Sequence, residues 1–512
     1  MQRTLAIPHA VSRAGQSSVA LWFGVAVAAL YVVFMPVINP LAGFERLSPF
    51  DAKRIVQVGL LVLQALVVVF AGAVRRAWFE QYVLLPRAAR WALVAILALG
   101  IASSLRAEAP SIALLEVGHH VLLFALMLSV ALWVRTTSGV DAWVLPVCVA
   151  AASFYVLKFL VGYVLAQAVP VFVHWPSANV GFVHVRMFNH LQTWSLPLIA
   201  GAVVIGRVRG GVPVWSGRLL LACWWMLLIA SGGRGSSLAL VLALAGCVLL
   251  YGRHARAWVR EIVIGLAGGI VLYGVLFIWL AGSAPGLPER DLTHDMGRFT
   301  FWRYALERWQ ASPWLGAGPM HYARFAGFPW QHGSPHNVYL KWLCEWGLPA
   351  AGLMIGLGVW GLAAWIRKTR QSLRAGMRSG DAVLRVALTG SVVAACVHGG
   401  FSAVAGAPLS QMCLVLIAGW MLGLHGRQVL PQPVGTSKRR LRMAVGLAVF
   451  LLAATHVAGQ ATVGIRQAEA GIARYRELMP GHPLKPRYWG QGLFLMPEPS
   501  APDESSRVAS HR

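Results

Sequence analysis

Long apolar stretches alternate with short polar ones along most of the chain. Most are close to the roughly 20 residues that an α-helix needs to cross about 30 Å of hydrocarbon. The first, from Val19 to Ile38, is too long for the core of a signal peptide and has no clear cleavage site after it, so we expect it to remain as a membrane span. The stretches predicted to span are 18–40, 55–74, 91–105, 112–134, 142–165, 192–206, 217–231, 237–251, 261–281, 348–366, 382–404, 408–425 and 443–459. The pattern predicts an all-α polytopic membrane protein with about 12 or 13 transmembrane helices.

Composition supports a membrane protein. Of the 512 residues, 57% are hydrophobic and 12% are charged, whereas soluble domains carry about 25% charged residues. Many of the 22 Trp and 11 Tyr lie near the margins of the apolar stretches, where such rings settle at the membrane interface. The six Cys show no CxxC pair and no zinc-ligand spacing, so we interpret them as small buried residues.

Basic residues concentrate in alternate connections between the apolar stretches, which indicates the orientation of the chain. With a cytoplasmic N-terminus, the positive-inside rule is satisfied throughout. The basic connections then on the inner side are 75–90, 207–218, 251–260, 367–380 and 435–442. The net charge of +26 is spread over these loops, so topology and anionic lipid headgroups explain it better than nucleic acid does.

Three polar segments fall on the outer side in this orientation: 166–191, the turn around Arg234, and 282–347. A connection as long as the last is usually functional or disordered. Between Met296 and Gln310, however, aromatic residues and arginines recur at near-helical spacing. This predicts an amphipathic helix on the outer leaflet, followed by a turn at 312–319.

The segment GSPHNVYLKWLCEWGL, residues 333–348, places polar side chains at the start of a predicted span. We expect Ser334 to cap that helix and His336 and Asn337 to lie in its first turn. Free N–H groups and the positive end of the helix dipole there predict an anion site and a neutral His336 that accepts a proton. From its position alone, the alternative for His336 is an ordinary polar residue at the membrane surface. Glu345 lies about half a helix circumference away from His336. We therefore expect Glu345 to pair with the lysine four residues before it or to hold a neighbouring helix.

Two arginines on the outer side indicate an anionic ligand. Arg186 precedes a span in FVHVRMFNHLQTW, and Arg234 lies among small residues in SGGRGSS. A charge among spans usually faces a cavity or a partner, and the 18 Asp and Glu are too few to pair all 44 Lys and Arg. Because guanidinium groups match phosphate oxygens, we expect a ligand such as a diphosphate, with structural ion pairs as the alternative.

Other ionisable residues lie within apolar stretches: Glu116, His119, His120 and Lys158. A proton relay through them would be typical of a lipid flippase or transporter. That class places its key charges at mid-membrane and often shows internal repeats, whereas this chain shows no repeat and has its candidate functional charges on the outer side. We expect packing pairs instead, such as Glu116 with Lys158.

Three ordered segments resemble the O-antigen ligase and polymerase superfamily. They are SGGRGSSLALVLA (231–243), GRFTFWRYALERWQASPWLGAGP (297–319) and PHNVYLKWLCEWGLPAAG (335–352). Members of the family show an S-R-G element, then G-R-x-x-x-W ending in P-x-x-G-x-G, then H-N-x-Y-L-x-x-x-x-E-x-G-L. Each motif alone is weak, but their order and their placement around the large outer loop make the resemblance specific.

The resemblance implies a glycosyltransferase of the bacterial inner membrane that takes a glycan from undecaprenyl diphosphate on the periplasmic side. It implies that His336 takes the proton of an acceptor hydroxyl in an inverting displacement, while Arg186 and Arg234 stabilise the leaving diphosphate. An ordinary surface-helix role is the alternative for the two arginines of the outer helix. The residues expected to contact substrate are Arg298, Arg303, Asn337 and Tyr339.

Within the superfamily, we expect an O-antigen ligase, which joins the glycan to the lipid A core and completes lipopolysaccharide. An O-antigen polymerase is an alternative, and so is a protein O-oligosaccharyltransferase, because RMFNH also resembles a motif of that family. The resemblance implies no cofactor and no metal. Asp291, His294 and Asp295 in DLTHD offer metal-ligand atoms, but no D-x-D accompanies them.

The chain accordingly divides into four parts. They are transmembrane helices at 1–281, a helical periplasmic loop at 282–347, C-terminal transmembrane helices at 348–459, and a partly disordered tail at 460–512. If 443–459 spans the membrane, this orientation places the tail in the periplasm.

Overall fold

The computed structural model describes residues 15–38, 47–137, 139–140, 143–169, 181–209, 214–280, 297–324, 333–427, 436–478, 480–481, 484 and 486–490. The regular structure within these ranges is helical, without a strand. The helices are α1 (Gly15–Phe34), α2 (Pro49–Phe70), α3 (Gly72–Val83), α4 (Arg87–Arg106), α5 (Pro110–Thr136), α6 (Val144–Ala168), α7 (Val185–Arg209), α8 (Val214–Ala230), α9 (Arg234–Tyr251), α10 (Arg256–Tyr273), α11 (Arg298–Ala311), α12 (Val338–Arg374), α13 (Ser379–Gly399), α14 (Pro408–Gly426) and α15 (Thr436–Leu478). The predicted all-α architecture is confirmed.

The helices have the length and composition of membrane spans. Ten segments of the described chain are long and apolar enough to cross a membrane. One of them, Arg234–Trp279, contains both α9 and α10, which a short 3-10 turn at Gly252–Ala255 joins. Two shorter apolar helices, Gly24–Phe34 and Val214–Ala230, add to these. The protein is therefore a multi-pass membrane protein, as predicted.

The interior of the bundle is formed by α5, α7, α13 and α14. In the most apolar 18-residue stretch of each of these helices, 72–78% is buried inside the bundle, whereas the corresponding value is 17–22% in α12 and α15. Close approach explains the packing of α14 on α5: a Cβ at Gly419 or Gly423 would lie 2.7 Å from the carbonyl oxygen of Met127 or Ala131. Small residues at one face let helix backbones meet where no hydrophobic effect drives them together.

A kink divides α12 into two helical parts. Gly347 has φ 77° and ψ 169° inside the helix, and Pro349 follows it. The turn predicted at 312–319 supplies hydrogen bonds to the carbonyl groups before the kink. The N–H groups of Ala317 and Gly318 donate to the carbonyls of Cys344 (2.8 Å) and Glu345 (3.0 Å). A Cβ at Gly347 would overlap the Trp314 carbonyl, so only glycine fits there. The glycine-rich motif thus holds the kink of α12.

The outer helix is present as α11, close to the predicted bounds. Phe301 and Ala305 are its buried residues, and α11 packs on α12 through this side. Arg298, the first residue of α11, lies about 20° from Ala305 around the helix, whereas Arg303 lies about 140° from Arg298. The two arginines therefore leave α11 in different directions.

The predicted pairing of Glu116 with Lys158 is wrong. Lys158 donates to the carbonyl of Val37 at 2.8 Å. Glu116 instead accepts from Lys341 at 2.6 Å and from Arg487, far along the chain, at 3.1 Å. A backbone carbonyl satisfies Lys158, while Glu116 lies on the side of α5 that faces α12.

Glu345 completes an ion network with these residues. Its side-chain oxygens both lie 2.6 Å from Arg487 Nη2, and Lys341 Nζ lies 4.0 Å away. The expectation that Glu345 pairs with Lys341 or holds a neighbour is confirmed, with Arg487 as its closer partner. We call Glu116, Lys341, Glu345 and Arg487 the ion network.

Candidate functional site

The start of α12 differs from the prediction. Asn337 is the N-cap, and its side chain accepts from the N–H groups of Tyr339 and Leu340, both at 3.0 Å. The hydroxyl of Ser334 accepts instead from the N–H of His336 at 3.2 Å. The prediction that Ser334 caps the helix is therefore wrong, and His336 precedes the cap rather than lying in the first turn. Asn337 also occupies N–H groups that were expected to bind an anion.

His336 adopts an uncommon backbone conformation. Its φ is 54°, in the left-handed region that side chains other than glycine rarely occupy. Residues held in this region cost about 1–3 kcal/mol and cluster at functional sites. The half-buried His336 ring lies 6.0 Å from the ring of Phe301 on α11, centroid to centroid. The backbone conformation of His336 is therefore typical of a residue at a functional site.

Two buried histidines lie side by side where α7 begins and α13 ends. The ring centroids of His190 and His398 are 5.2 Å apart. His190 Nε2 is hydrogen-bonded to Ser402 Oγ at 2.8 Å, and His398 Nδ1 to Thr193 Oγ1 at 2.9 Å. Ser236 Oγ, on α9, lies 3.4 Å from His398. Hydrogen bonds from three segments therefore orient this imidazole pair.

Further imidazoles and guanidinium groups surround the pair. His184 and Arg186 lie at the start of α7, within two turns of His190, and Arg298 lies one turn before Phe301, whose ring centroid is 6.0 Å from that of His336. Three helices, α7, α11 and α13, and the segment before α12 thus contribute to one end of the bundle. The residues we call the His–Arg cluster are Arg186, His190, Arg298, His336 and His398.

Arg234 lies next to this cluster. It is the first residue of α9, its side chain is exposed, and the glycines around it leave room. A Cβ at Gly235 would lie 3.4 Å from the His398 ring, and Ser236 touches that ring with its hydroxyl. The backbone at Arg234 therefore runs along the His–Arg cluster.

The other predicted contact residues have different surroundings. Arg303 is 75% exposed and lies 3.7 Å from Glu307 of its own helix, so the structure does not bring it to the cluster. Asn337 is occupied as the cap of α12. Tyr339 donates from its hydroxyl to the carbonyl of Cys396 at 2.7 Å, which ties α12 to α13 beside His398.

Part of the chain matches a known protein family. Residues 219–355 match the family model described as O-Antigen ligase. This match supports the resemblance to the O-antigen ligase and polymerase superfamily that the motifs indicate. The family region contains Arg234, Arg298 and His336, whereas Arg186 lies before it and His398 after it. No curated protein matches the chain.

The family match supports a glycosyltransferase-like enzyme, and the apolar helices show a multi-pass membrane protein. The part of the chain that the structure describes contains no group of three or more His, Cys, Asp or Glu placed to hold a metal ion. Asp291, His294 and Asp295 lie outside the described residues.

His190 and His398 were not singled out from the sequence. One signal was available for His190: it lies four residues after Arg186, so both side chains project from one face of α7. For His398 the signal was an imidazole at the end of an apolar span, followed by two glycines. Neither signal indicates that the two rings meet, since that depends on the packing of α7 against α13.

Proposed function

We propose that the protein is an O-antigen ligase. It transfers a glycan from undecaprenyl diphosphate to a sugar of the lipid A core on the periplasmic side of the bacterial inner membrane. The observation that supports this most strongly is the His–Arg cluster, in which His336 lies beside Phe301 of α11, one turn from Arg298, within or next to the region that matches the family.

The chemistry needs one proton acceptor and several cations. A ring nitrogen of His336 takes the proton of the acceptor hydroxyl as that oxygen bonds to the anomeric carbon. The bond from the anomeric carbon to the diphosphate oxygen breaks, and undecaprenyl diphosphate leaves with the electron pair. Arg186, Arg234 and Arg298 stabilise the negative charge that grows on it. Attack opposite the leaving group inverts the configuration at the anomeric carbon.

The charge of the loops indicates which side of the membrane the His–Arg cluster faces. The His–Arg cluster lies where α7, α9 and α12 begin, and the opposite ends of these helices adjoin connections rich in Arg and Lys. By the positive-inside rule the basic connections are cytoplasmic, so the cluster opens to the periplasm. The lipid-linked donor and the lipid A core reach it from the same leaflet.

The deciding experiment offers one donor and three acceptors to the purified protein in detergent. The donor is undecaprenyl-diphosphate-linked glycan, and the acceptors are lipid A core, repeat-unit lipid and a pilin-like protein. We expect the lipid A core to become modified. Modification of the repeat-unit lipid would identify a polymerase, and modification of the protein an oligosaccharyltransferase. Movement of donor across a sealed bilayer, with no transfer in detergent, would identify a flippase.

Replacement of the proposed proton acceptor tests the mechanism. His336→Ala should lower transfer by about 10²–10⁴-fold, the usual contribution of a positioned general base, with the unfolding transition unchanged. His254→Ala is the matched control, because His254 lies at the opposite end of α9 from Arg234. Normal turnover in His336→Ala would remove the proposed base.

A further inference from the structure

The first part of α12 is short, and a kink separates it from the rest of the helix. It runs from Val338 to the kink at Gly347, and His336 directly precedes its N-cap. A helix of this length has little stability of its own, and the kink uncouples it from the long part that follows. Contacts from the side must therefore set its position, and with it the position of His336.

The side that faces α5 is held through the ion network. Lys341 and Glu345 are four residues apart and project from one face. Lys341 is paired with Glu116 of α5. Glu345 is paired with Arg487, and Arg487 also reaches Glu116. Arg487 is thus the one member that contacts both carboxylates within hydrogen-bond distance.

Arg487 belongs to a segment near the C-terminus that is packed into the bundle. Tyr488 and Trp489 are 3% and 2% exposed. The guanidinium group of Arg54 on α2 lies 4.6 Å from the Tyr488 ring centroid, and the N–H of Gly490 donates to Asp51. The Trp489 ring occupies the space beside Gly464 of α15, where any Cβ would overlap it. Residues 486–490 are therefore anchored on α2 and α15 independently of the ion network.

We infer that Arg487 is a positioning residue: through Glu345 and Glu116 it clamps the first part of α12 onto α5 and so holds His336 in its reactive place. The inference rests on the proposed function of His336. It adds to that function a residue about 150 positions away, in a segment where composition alone indicates a tail. Residues 486–490 act as the clamp, and α2 and α15 are its fixed support.

Electrostatics explain why an arginine serves here. The ion network holds two carboxylates and two cations, so it is neutral overall. Buried charges of this kind are tolerated only when paired and hydrogen-bonded. Although burial lowers the pKa of Arg487, the carboxylates of Glu345 and Glu116 outweigh that effect and raise it. The guanidinium group stays charged, and its planar fork reaches both carboxylates, which an ammonium group does less well.

The test separates positioning from general stability. Arg487→Met alone leaves an excess carboxylate, so the main variant is the pair Arg487→Met with Glu116→Gln, which keeps the network neutral through Lys341 and Glu345. Arg476→Ala, an exposed arginine at the end of α15, is the matched control. Full-length proteins are compared in lipid nanodiscs by hydrogen exchange of residues 338–346 and by transfer kinetics.

We expect the paired variant to remain folded and its amides at 338–346 to exchange faster. Its kcat should fall by about 100-fold, because a displacement of about 1 Å at a reacting group has that effect. The KM for donor should change by less than about threefold, since ground-state contacts are retained. Arg487→Lys should recover part of the lost kcat, and Arg476→Ala should match the unmodified protein in both measurements.

Two results would overturn the inference. One is unchanged exchange at 338–346 in the folded paired variant, whatever its activity. The other is faster exchange with unchanged kcat, which would mean that the clamp does not serve His336. Hydrogen exchange does not depend on sugar transfer, so a failure of the proposed function, shown by an active His336→Ala variant, is recognised separately.

Discussion

The ion network and the His–Arg cluster lie at the same end of the bundle, yet they differ in the balance of their charges. The ion network pairs two carboxylates with two cations at distances of 2.6–4.0 Å. The His–Arg cluster combines three imidazoles and two guanidinium groups, and its two central rings are hydrogen-bonded to the hydroxyl groups of Ser402 and Thr193. The charges of the ion network neutralise one another. The His–Arg cluster instead combines imidazole and guanidinium groups, which suit an anionic ligand.

This difference shows how buried ionisable residues in a membrane protein are sorted into roles. Both regions contain charges that are expensive to hold in a membrane. Where opposite charges meet, the groups join helices to one another, and their loss costs stability. Where groups of one sign converge from several helices, the arrangement suits a phosphate-containing ligand. Substitutions in the two regions should accordingly affect different measurements.

The largest effect on stability is expected from Glu116→Ala. This change leaves Lys341 and Arg487 buried with Glu345 as their remaining partner in the ion network, and breaking a buried pair costs about 3–5 kcal/mol. Denaturant unfolding in detergent measures it. The control is Glu307→Ala, because Glu307 is 59% exposed and its pair with Arg303 is on the surface. If both variants unfold alike, the ion network does not hold the helices together.

A large effect on activity, without one on stability, is expected from Arg298→Ala. Removal of one group that stabilises transition-state charge costs about 2.7–4 kcal/mol, or about 10²–10³ in kcat. Arg303→Ala on the same helix should leave transfer nearly unchanged, since that side chain faces away and is exposed. Both arginines were predicted to bind substrate, so equal losses in the two variants would restore that prediction and contradict the proposed boundary of the cluster.

The smallest effect is expected from Tyr339→Phe. The phenol donates to the carbonyl of Cys396 and ties α12 to α13, and loss of one hydrogen bond costs about 1 kcal/mol. Stability should fall by that amount, and transfer should fall only slightly. A loss of transfer above tenfold, without a matching loss of stability, would show that the hydroxyl contacts substrate, as the family motif implies.

Much of the fold could be predicted because membrane insertion depends on local sequence. A run of apolar residues is sufficient for a span, and the charge of adjoining loops is sufficient for an orientation. The helix α11 was also predictable from its periodicity. The start of α12 was not: Ser334, Pro335 and Asn337 all suit a helix start, and the choice of Asn337 depends on a hydrogen bond that Ser334 makes to His336 instead.

The sites divide in the same way. Arg186, Arg234, Arg298 and His336 stood out as polar residues predicted on the outer side of apolar spans, and the motifs around the last three carry the family resemblance. Their neighbours His190 and His398 did not stand out, because each is a single imidazole in an apolar context. Glu116 was expected to pair with Lys158, whereas the helix packing turns it toward Lys341 of α12.

The sequence by itself determined the membrane architecture and the resemblance to the superfamily, since both depend on short stretches read one at a time. Only the tertiary structure decided which polar groups meet. Arg487 and Glu116 are separated by 371 residues, and α7 and α13 contribute the two rings of one histidine pair. Such contacts depend on the packing of many helices at once, and no local pattern records which faces come together.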